Sequence, residues 1–310
     1  MTPRASVLIP AHNAGPWVAA AIDSALAQGP DIEVIVIDDG STDETLAQIR
    51  AFDGRIRWET GPNRGAPATR NRALALAQAP WVQFLDADDC LETGKIAAQL
   101  DAVDDDTDVL YGAETVEWHG HGAVHRTWTP TPAPHDPPAL LAGWHLPQTG
   151  APLWRKAALD AVGGFRVDQP CCQEHELYLR LLMAGKRFVH HPAARGAIYR
   201  RFDSGTLSTR DPARVRTQRA LILNRLEAWL DQTGGLTPHR QQAIDQARFD
   251  MARAAWPHDR TEARAHHAAI SGRGFRPAGA AAPVNYSIVY RIFGFQLAEV
   301  IATYHRKFIQ

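Results

Sequence analysis

The stretch WVQFLDADD, Trp81 to Asp89, changes character halfway along. Trp81, Val82, Phe84 and Leu85 are aromatic, β-branched or aliphatic and too few to make a helix, so they read as a short buried strand. Asp86, Asp88 and Asp89 then place three carboxylates in four positions at the end of that strand. Buried as unpaired anions, each would carry a heavy desolvation penalty, so the pattern calls for a cation. Carboxylates at this spacing suit a hard divalent ion such as Mn2+ or Mg2+, which takes oxygen ligands and keeps positions open for phosphate. An Asp ahead of KIAAQL (95–100) is also a good helix cap, and the spacing alone leaves both readings open.

Working outward from this strand, Ser6 to Pro10 (SVLIP) reads as another short buried strand ended by proline, followed by a helix over Pro16 to Ala27. Ile32 to Ile37 (IEVIVI) is a further strand that stops in DDGS, and a helix follows from about Asp43 to Phe52. Strand and helix alternating at this spacing build right-handed βαβ units and a mostly parallel sheet. Ligands in such sheets bind beyond the carboxyl ends of the strands. PAHN (10–13), DDGS (38–41) and DADD (86–89) all fall there. Between the last two lies NRGAPATRNRAL (63–74), a glycine loop running into a helix, with N–H groups and guanidinium forks suited to an anion or a base edge. Arg64 and Arg72 read as surface ion-pair formers.

A chain of 310 residues, 45% of them hydrophobic, is long enough for one large or two ordinary domains. Its three cysteines include no CxxC pair, which argues against a disulfide framework and a thiolate zinc site. No leader-like segment and no run of eighteen apolar residues is visible, so a cytoplasmic location is expected, within reach of the inner face of the membrane. The net charge of −1 hides an asymmetry: residues 211–310 hold 14 Arg and Lys against 8 Asp and Glu, and residues 1–210 hold 19 against 26. Neither half is extreme enough to argue for nucleic acid.

The order SVLIPAHN, IEVIVIDDGSTDET, NRGAPATRNRAL, WVQFLDADD resembles the nucleotide-binding half of the family 2 glycosyltransferases, inverting enzymes with the GT-A fold. Four motifs in order over some ninety residues make the likeness specific; no GxGxxG and no Walker loop competes with it. The resemblance implies an α/β fold of GT-A type, a nucleotide-diphospho-sugar transferase fold whose central sheet is flanked by helices. It implies that Pro10, Ala11, His12 and Asn13 line the nucleoside pocket and that Asp38 hydrogen-bonds the base with help from Arg70. Asp86 would contact ribose or metal, Asp88 would bind the metal on the diphosphate, and Asp89 would support the loop.

In the second half, DVLYGAETVEW (108–118) alternates like one strand, and residues 119–150, rich in His, Pro and Gly, read as a long loop. His119, His121 and His125 lack a fourth zinc ligand at suitable spacing and read as solvated loop residues. A strand, a short helix and a turn follow over 150–165, then a helix begun near Gln173 in which Glu174, Leu177, Tyr178 and Leu181 share a stripe. Glu174 thus stands above an apolar face at a helix N-terminus, where burial and dipole act oppositely on its acidity. Glu176 and Arg180, at i and i+4, read as an exposed pair.

This segment resembles the family's second signature, an acidic pair before a LWLR-like run. Aligned on Leu177 to Arg180 the pair becomes Gln173-Glu174, so the resemblance implies Glu174 as catalytic base where Asp is usual, with His175 or Glu176 as weaker candidates. Tyr199 to Ser208 resembles the loop that closes over the donor diphosphate. Where many members carry a metal-ligating His, this chain has Phe202. Arg200, Arg201 and Asp203 are then candidate diphosphate or loop contacts.

The resemblance ends near residue 211. Segments 212–231 and 238–256 have helical spacing, and Asn285 to Phe308 is aromatic and apolar with a basic end. Its sparse polar face and Gly294 favour docking on protein, as a core or homodimer helix, over a peripheral membrane contact. The whole reads as a GT-A catalytic domain over 1–210, with 1–89 the nucleotide-binding half and 90–210 the acceptor half, plus a helical C-terminal extension over 211–310. The expected activity is an inverting, Mn2+- or Mg2+-dependent hexosyltransferase-like enzyme of polysaccharide or glycoconjugate synthesis. It would take a nucleotide-sugar donor, UDP-sugar favoured, and a saccharide or lipid-linked saccharide acceptor. The alternatives are a catalytically silent nucleotide-sugar binding module, or a scaffold acting through its helical tail.

Overall fold

The computed structural model describes residues 2–120, 123–192, 196–202, 211–272 and 274–308. These divide into two compact units, one of residues 1–137 and 146–210, the other of residues 138–145 and 211–310.

The first unit is built on a seven-stranded sheet. Its strands are β1 (Ala5–Ala11), β2 (Ile32–Asp38), β3 (Arg57–Thr60), β4 (Trp81–Phe84), β6 (Val109–Tyr111), β9 (Leu153–Arg155) and β10 (Phe188–His190). They lie in the order β10-β6-β9-β4-β1-β2-β3. Only β9 runs against its neighbours, so the sheet is mixed but mostly parallel. Central β1 carries Ala5, Val7, Leu8 and Ile9 without exposure, as a strand covered on both faces must. It runs one residue beyond Pro10, and the Ala11 carbonyl accepts the Asp39 N–H at 2.8 Å. Helices α1 (Val18–Leu26), α2 (Thr45–Arg50), α3 (Ala66–Leu76), α4 (Lys95–Leu100), α6 (Lys156–Ala161) and α7 (Gln173–Met183) complete the α/β pattern.

The region 108–150 departs from its sequence reading. The single strand expected over 108–118 is two, broken at Gly112-Ala113: β6 stays in the large sheet, while β7 (Glu114–Gly120) enters a smaller one. The long loop expected over 119–150 contains β8 (Ala123–Thr129) and α5 (Pro137–Ala142). β8 pairs antiparallel with β7. Its residues are exposed from Val124 to Thr129, so no apolar alternation marks it as a strand. The four-stranded sheet has the order β5-β11-β7-β8, with β5 at Cys90–Leu91 and β11 at Ala197–Phe202.

The second unit holds the long helices α8 (Pro212–Gln232), α9 (Pro238–Ala255), α10 (Arg260–Ala268) and α11 (Val284–Phe308). Asp211, Thr237 and Asp259 cap three of them, each side chain accepting an N–H of the first turn. The core gathers Phe249, Trp256, Ala263, Tyr286, Phe295 and Ala298. α11 is interrupted at Gly294, whose φ of 77° is outside the helical range.

In the first unit Phe84 is fully buried, its ring edge-on to Trp154 at 6.1 Å and to Phe165 at 5.1 Å. Phe84→Ala should cost about 3–5 kcal/mol of stability. A urea unfolding curve whose midpoint is unmoved would contradict this packing.

Candidate active site at the strand ends

Three strand ends meet as the parallel sheet requires. Beyond β1, Asn13 adopts a φ of 49°, donates its N–H to Ser41 Oγ at 2.9 Å and accepts the Thr42 N–H on Oδ1 at 2.9 Å. His12 is exposed, with Nδ1 3.0 Å from the Asp39 carbonyl. Pro10 is half-buried and Ala11 buried at the same edge. Beyond β2, Asp38 is 1% exposed, one oxygen accepting the Ser41 N–H at 3.2 Å and the other the Thr60 hydroxyl at 2.6 Å. Asp39, which the sequence reading did not single out, accepts the N–H groups of Arg64 and Gly65 at 2.8 and 2.9 Å and so fixes the glycine loop ahead of α3. Gly40 (φ 72°) lies between these loops, where a Cβ would sit 2.8 Å from the Asn63 nitrogen.

Arg70 on α3 is the pivot. Its Nη2 donates to Asp86 Oδ1 at 2.6 Å and its Nη1 to Gln173 Oε1 at 2.8 Å. The guanidinium lies over the Phe165 ring, 5.3 Å from the centroid. Phe165 is itself held by Asn71, whose side-chain amide exchanges two hydrogen bonds with the Phe165 main chain at 2.7 and 2.8 Å. Each of its terminal nitrogens thus has a partner within the protein, Asp86 on one and Gln173 on the other. Arg72 pairs with Glu59 at the surface in a two-pronged contact, as expected.

The acids after β4 have different surroundings. Asp86 is 31% exposed and paired with Arg70. Burial and the charge of Asp86 push the Asp88 carboxyl up to about 6, against the pull of Arg200 and Arg70. Asp89 is 1% exposed; Oδ1 accepts the Arg200 N–H at 2.8 Å, and among the described residues Oδ2 has no hydrogen-bond partner. Burial, reinforced by Asp86 and Asp88, holds the Asp89 carboxyl well above the usual range. Among the described residues no group of three His, Cys, Asp or Glu is arranged to hold a metal. A buried carboxylate oxygen beside a carboxyl raised by burial and by the charge of Asp86 nevertheless fits a cation whose remaining ligands come from outside the protein.

On α7, Glu174 keeps a quarter of its side chain exposed above fully buried Leu177, Tyr178 and Leu181. Burial opposes its ionisation, but His175, which places Nδ1 3.1 Å from Oε1, prevails with help from Arg70, and the carboxyl falls to about 2. Glu176 corrects the sequence reading: it is 1% exposed and Arg180 Nε donates to it at 2.8 Å. The other Arg180 nitrogens donate to the Val162 and Gly164 carbonyls at 2.6 Å, so the pair pins α7 to the turn after α6. Glu114 on β7 is a further carboxylate, held above its ordinary range mainly by burial and in part by Glu174.

On β11, Arg200 pairs in register with Glu117, which its Nε reaches at 3.3 Å, while Arg201 pairs with Trp118. The Arg201 guanidinium lies over the Trp118 and Tyr199 rings at 4.9 and 5.0 Å. Glu117 also binds His119 and Arg126, both at 2.6 Å. The backbone of Phe202 ends β11, whereas Asp203 and the loop through Ser208, like His121, lie outside the described residues.

Residues 6–160 match the family described as Glycosyl transferase family 2. The succinoglycan biosynthesis protein ExoU of Rhizobium meliloti (strain 1021) is 30% identical over 319 residues, which cover 90% of this chain and 91% of that one. A chondroitin synthase of Escherichia coli is 36% identical over 103 residues, 32% of this chain and 15% of that one. Among solved structures, TarS 1-349 of S. aureus in complex with UDP has a TM-score of 0.56 at 19% identity, over 83% of this chain and 73% of that one. The mannosyltransferase PcManGT from Pyrobaculum calidifontis, in complex with GDP-Man and Mn2+, has a TM-score of 0.54 at 19% identity, over 100% of this chain and 88% of that one. The shared fold is GT-A.

Two outcomes are expected from this geometry. Arg70→Ala should lower stability by about 2 kcal/mol, less than the ~3–5 of a fully buried pair because Asp86 is partly exposed; an unchanged denaturant midpoint would contradict the pivot. Because the folded Glu174 carboxyl lies below its ordinary 4.5, its stabilising effect is complete above that value and is lost as pH falls toward about 2. Thermal midpoints should therefore fall more steeply across that range in the wild type than in Glu174→Gln, and parallel curves would remove the effect.

Proposed function

The chain belongs to glycosyltransferase family 2, and on that premise we propose that it is an inverting transferase moving a sugar from a nucleotide-diphosphate sugar to an acceptor hydroxyl. The observation that carries this reading is the double contact of Arg70, which ties the acids after β4 to the first turn of α7 beside Glu174. Asp86 and Gln173, the neighbour of Glu174, are thereby held by the two terminal nitrogens of one guanidinium.

In this reading residues 1–210 are the catalytic domain, with the nucleotide-binding half over 1–89 and the acceptor half over 90–210, and residues 211–310 are the extension. Pro10 to Asn13 and Asp38 line the nucleoside site. Asp86, oriented by Arg70, would face the ribose or the cation, and Asp88 would hold the cation. Bound there, Mn2+ or Mg2+ would supply positive charge to the diphosphate oxygens. Arg201, with Arg200 beside it, adds cationic charge from β11, and Asp203 is a further candidate contact outside the described residues. Glu174 takes the proton of the acceptor hydroxyl, the freed oxygen attacks the anomeric carbon from the opposite face, and the bond to the diphosphate oxygen breaks. The configuration inverts without a covalent enzyme intermediate.

The comparisons support the substrate classes at a coarser level. TarS is seen with UDP and with UDP-GlcNAc, PcManGT with GDP-Man and Mn2+. A UDP-sugar remains our preferred donor, and a saccharide or lipid-linked saccharide of a polysaccharide pathway our preferred acceptor, in keeping with the relatives named for succinoglycan and chondroitin. One observation favours a silent binding module instead: a carboxylate whose pKa has fallen to about 2 is a weak proton acceptor until acceptor binding displaces His175.

Turnover separates the readings. Glu174→Gln should lower the rate by about 10²–10⁴-fold with donor affinity kept, and the product should have inverted configuration by proton NMR. Retained configuration would sink the mechanism, and a wild type that binds donor without transferring to any saccharide acceptor would establish the silent module. Full activity in Glu174→Gln, with loss in Glu114→Gln, would move the base to β7.

A further inference from the structure

Helix α11 has two unlike faces. One carries Tyr286, Phe295 and Ala298 into the core of the second unit, and buried Glu299 pairs there with Arg253. The other leaves large apolar side chains in water: Ile288 is 51% exposed, Ile292 66%, Phe293 58%, Leu297 43% and Ile301 44%. Val284, Val300 and Tyr304 extend the same exposed series to both ends of the helix. So many large apolar groups exposed along both segments of α11 mark a surface meant to be covered.

The charges on this helix choose the cover. Glu299 is its only acid and faces inward. Among the described side chains, the exposed basic residues of this helix are Arg291 and His305. The surface is therefore apolar, aromatic and cationic, without a carboxylate. A second copy would bring the same acid-free face and no counter-charge. The interfacial layer of an anionic phospholipid leaflet offers both hydrocarbon for the aliphatic side chains and phosphate for the cations. No helix among the described residues is long and apolar enough to cross a membrane, and the break at Gly294 divides α11 into two segments, each short enough to lie in a lipid surface. We propose that α11 is a peripheral membrane-binding element that seats its exposed face in anionic phospholipid. This rests on the surface of the second unit alone and stands apart from the transferase reading.

The test is co-sedimentation of the full chain with vesicles of phosphatidylcholine alone and of phosphatidylcholine mixed with phosphatidylglycerol, with light scattering of the protein by itself. The wild type should pellet with the mixed vesicles and more weakly with phosphatidylcholine, and added salt should reduce the binding. The double variant Ile292→Asp, Leu297→Asp should bind at least about tenfold more weakly while its unfolding midpoint stays put, since both side chains are exposed. Equal pelleting of variant and wild type, or no pelleting of the wild type, overturns the proposal. Equal binding to both vesicle types overturns the choice of anionic lipid. A dimer abolished by the same double variant, without vesicle binding, gives the face to a second copy and overturns the proposal as well.

Discussion

A guanidinium that is nine-tenths buried must find its partners inside the protein, and Arg70 finds them on two segments, one 16 and the other 103 residues further along the chain. One contact holds the loop after β4 and the other holds the start of α7, with the Phe165 ring beneath. Each partner has its own support. Asn71, one residue along α3, fixes Phe165 through two main-chain hydrogen bonds, and Gly164 has to be glycine because a Cβ there would sit 2.5 Å from Asn71 Oδ1. Arg180 and buried Glu176 pin α7 to that same turn. The acids after β4 and the first turn of α7 are thus placed by two buried ion pairs and the hydrogen bonds around Phe165 and Gly164 that lie between them, and removing one partner of either pair leaves its own counter-charge unpaired.

The second constraint is the burial of neighbouring carboxylates. Asp86, Asp88 and Asp89 stand within four residues; burial first, and the charge of the neighbouring acids second, push Asp88 up to about 6 and hold Asp89 above the carboxylate range against the pull of Arg200. A fold keeps such an arrangement when a ligand relieves it. A cation that also meets a diphosphate does so, which is why the electrostatics of the loop and the chemistry proposed for it belong together.

Much of this was legible in the sequence because the decisive segments are buried on both sides. IEVIVI and WVQF read as strands since a parallel sheet covered by helices leaves no polar face, and the acids at their ends stood out against apolar runs. The failures have the opposite cause. β8 lies exposed at a sheet edge, so its alternation carries no burial signal and it passed for loop. Glu176 and Arg180 have the spacing of a surface pair, and only the turn at Val162 and Gly164 makes them interior. Gln173 was beyond reach as a partner of Arg70 because it lies 103 positions away and no local pattern links them. Asp39 was overshadowed by its neighbour Asp38, although its two bonds to the glycine loop are as regular as any in the site.

The central claim is that the strand ends around Arg70 form a nucleoside-diphosphate site completed by a divalent cation on Asp88. The most direct test is calorimetric titration of the wild type and Asp88→Ala with UDP, GDP and dTDP, each with and without Mn2+. The account predicts that one nucleotide binds selectively, that Mn2+ strengthens it, and that Asp88→Ala removes the strengthening. Absence of binding by all three, or equal metal-assisted binding to Asp88→Ala, would contradict it.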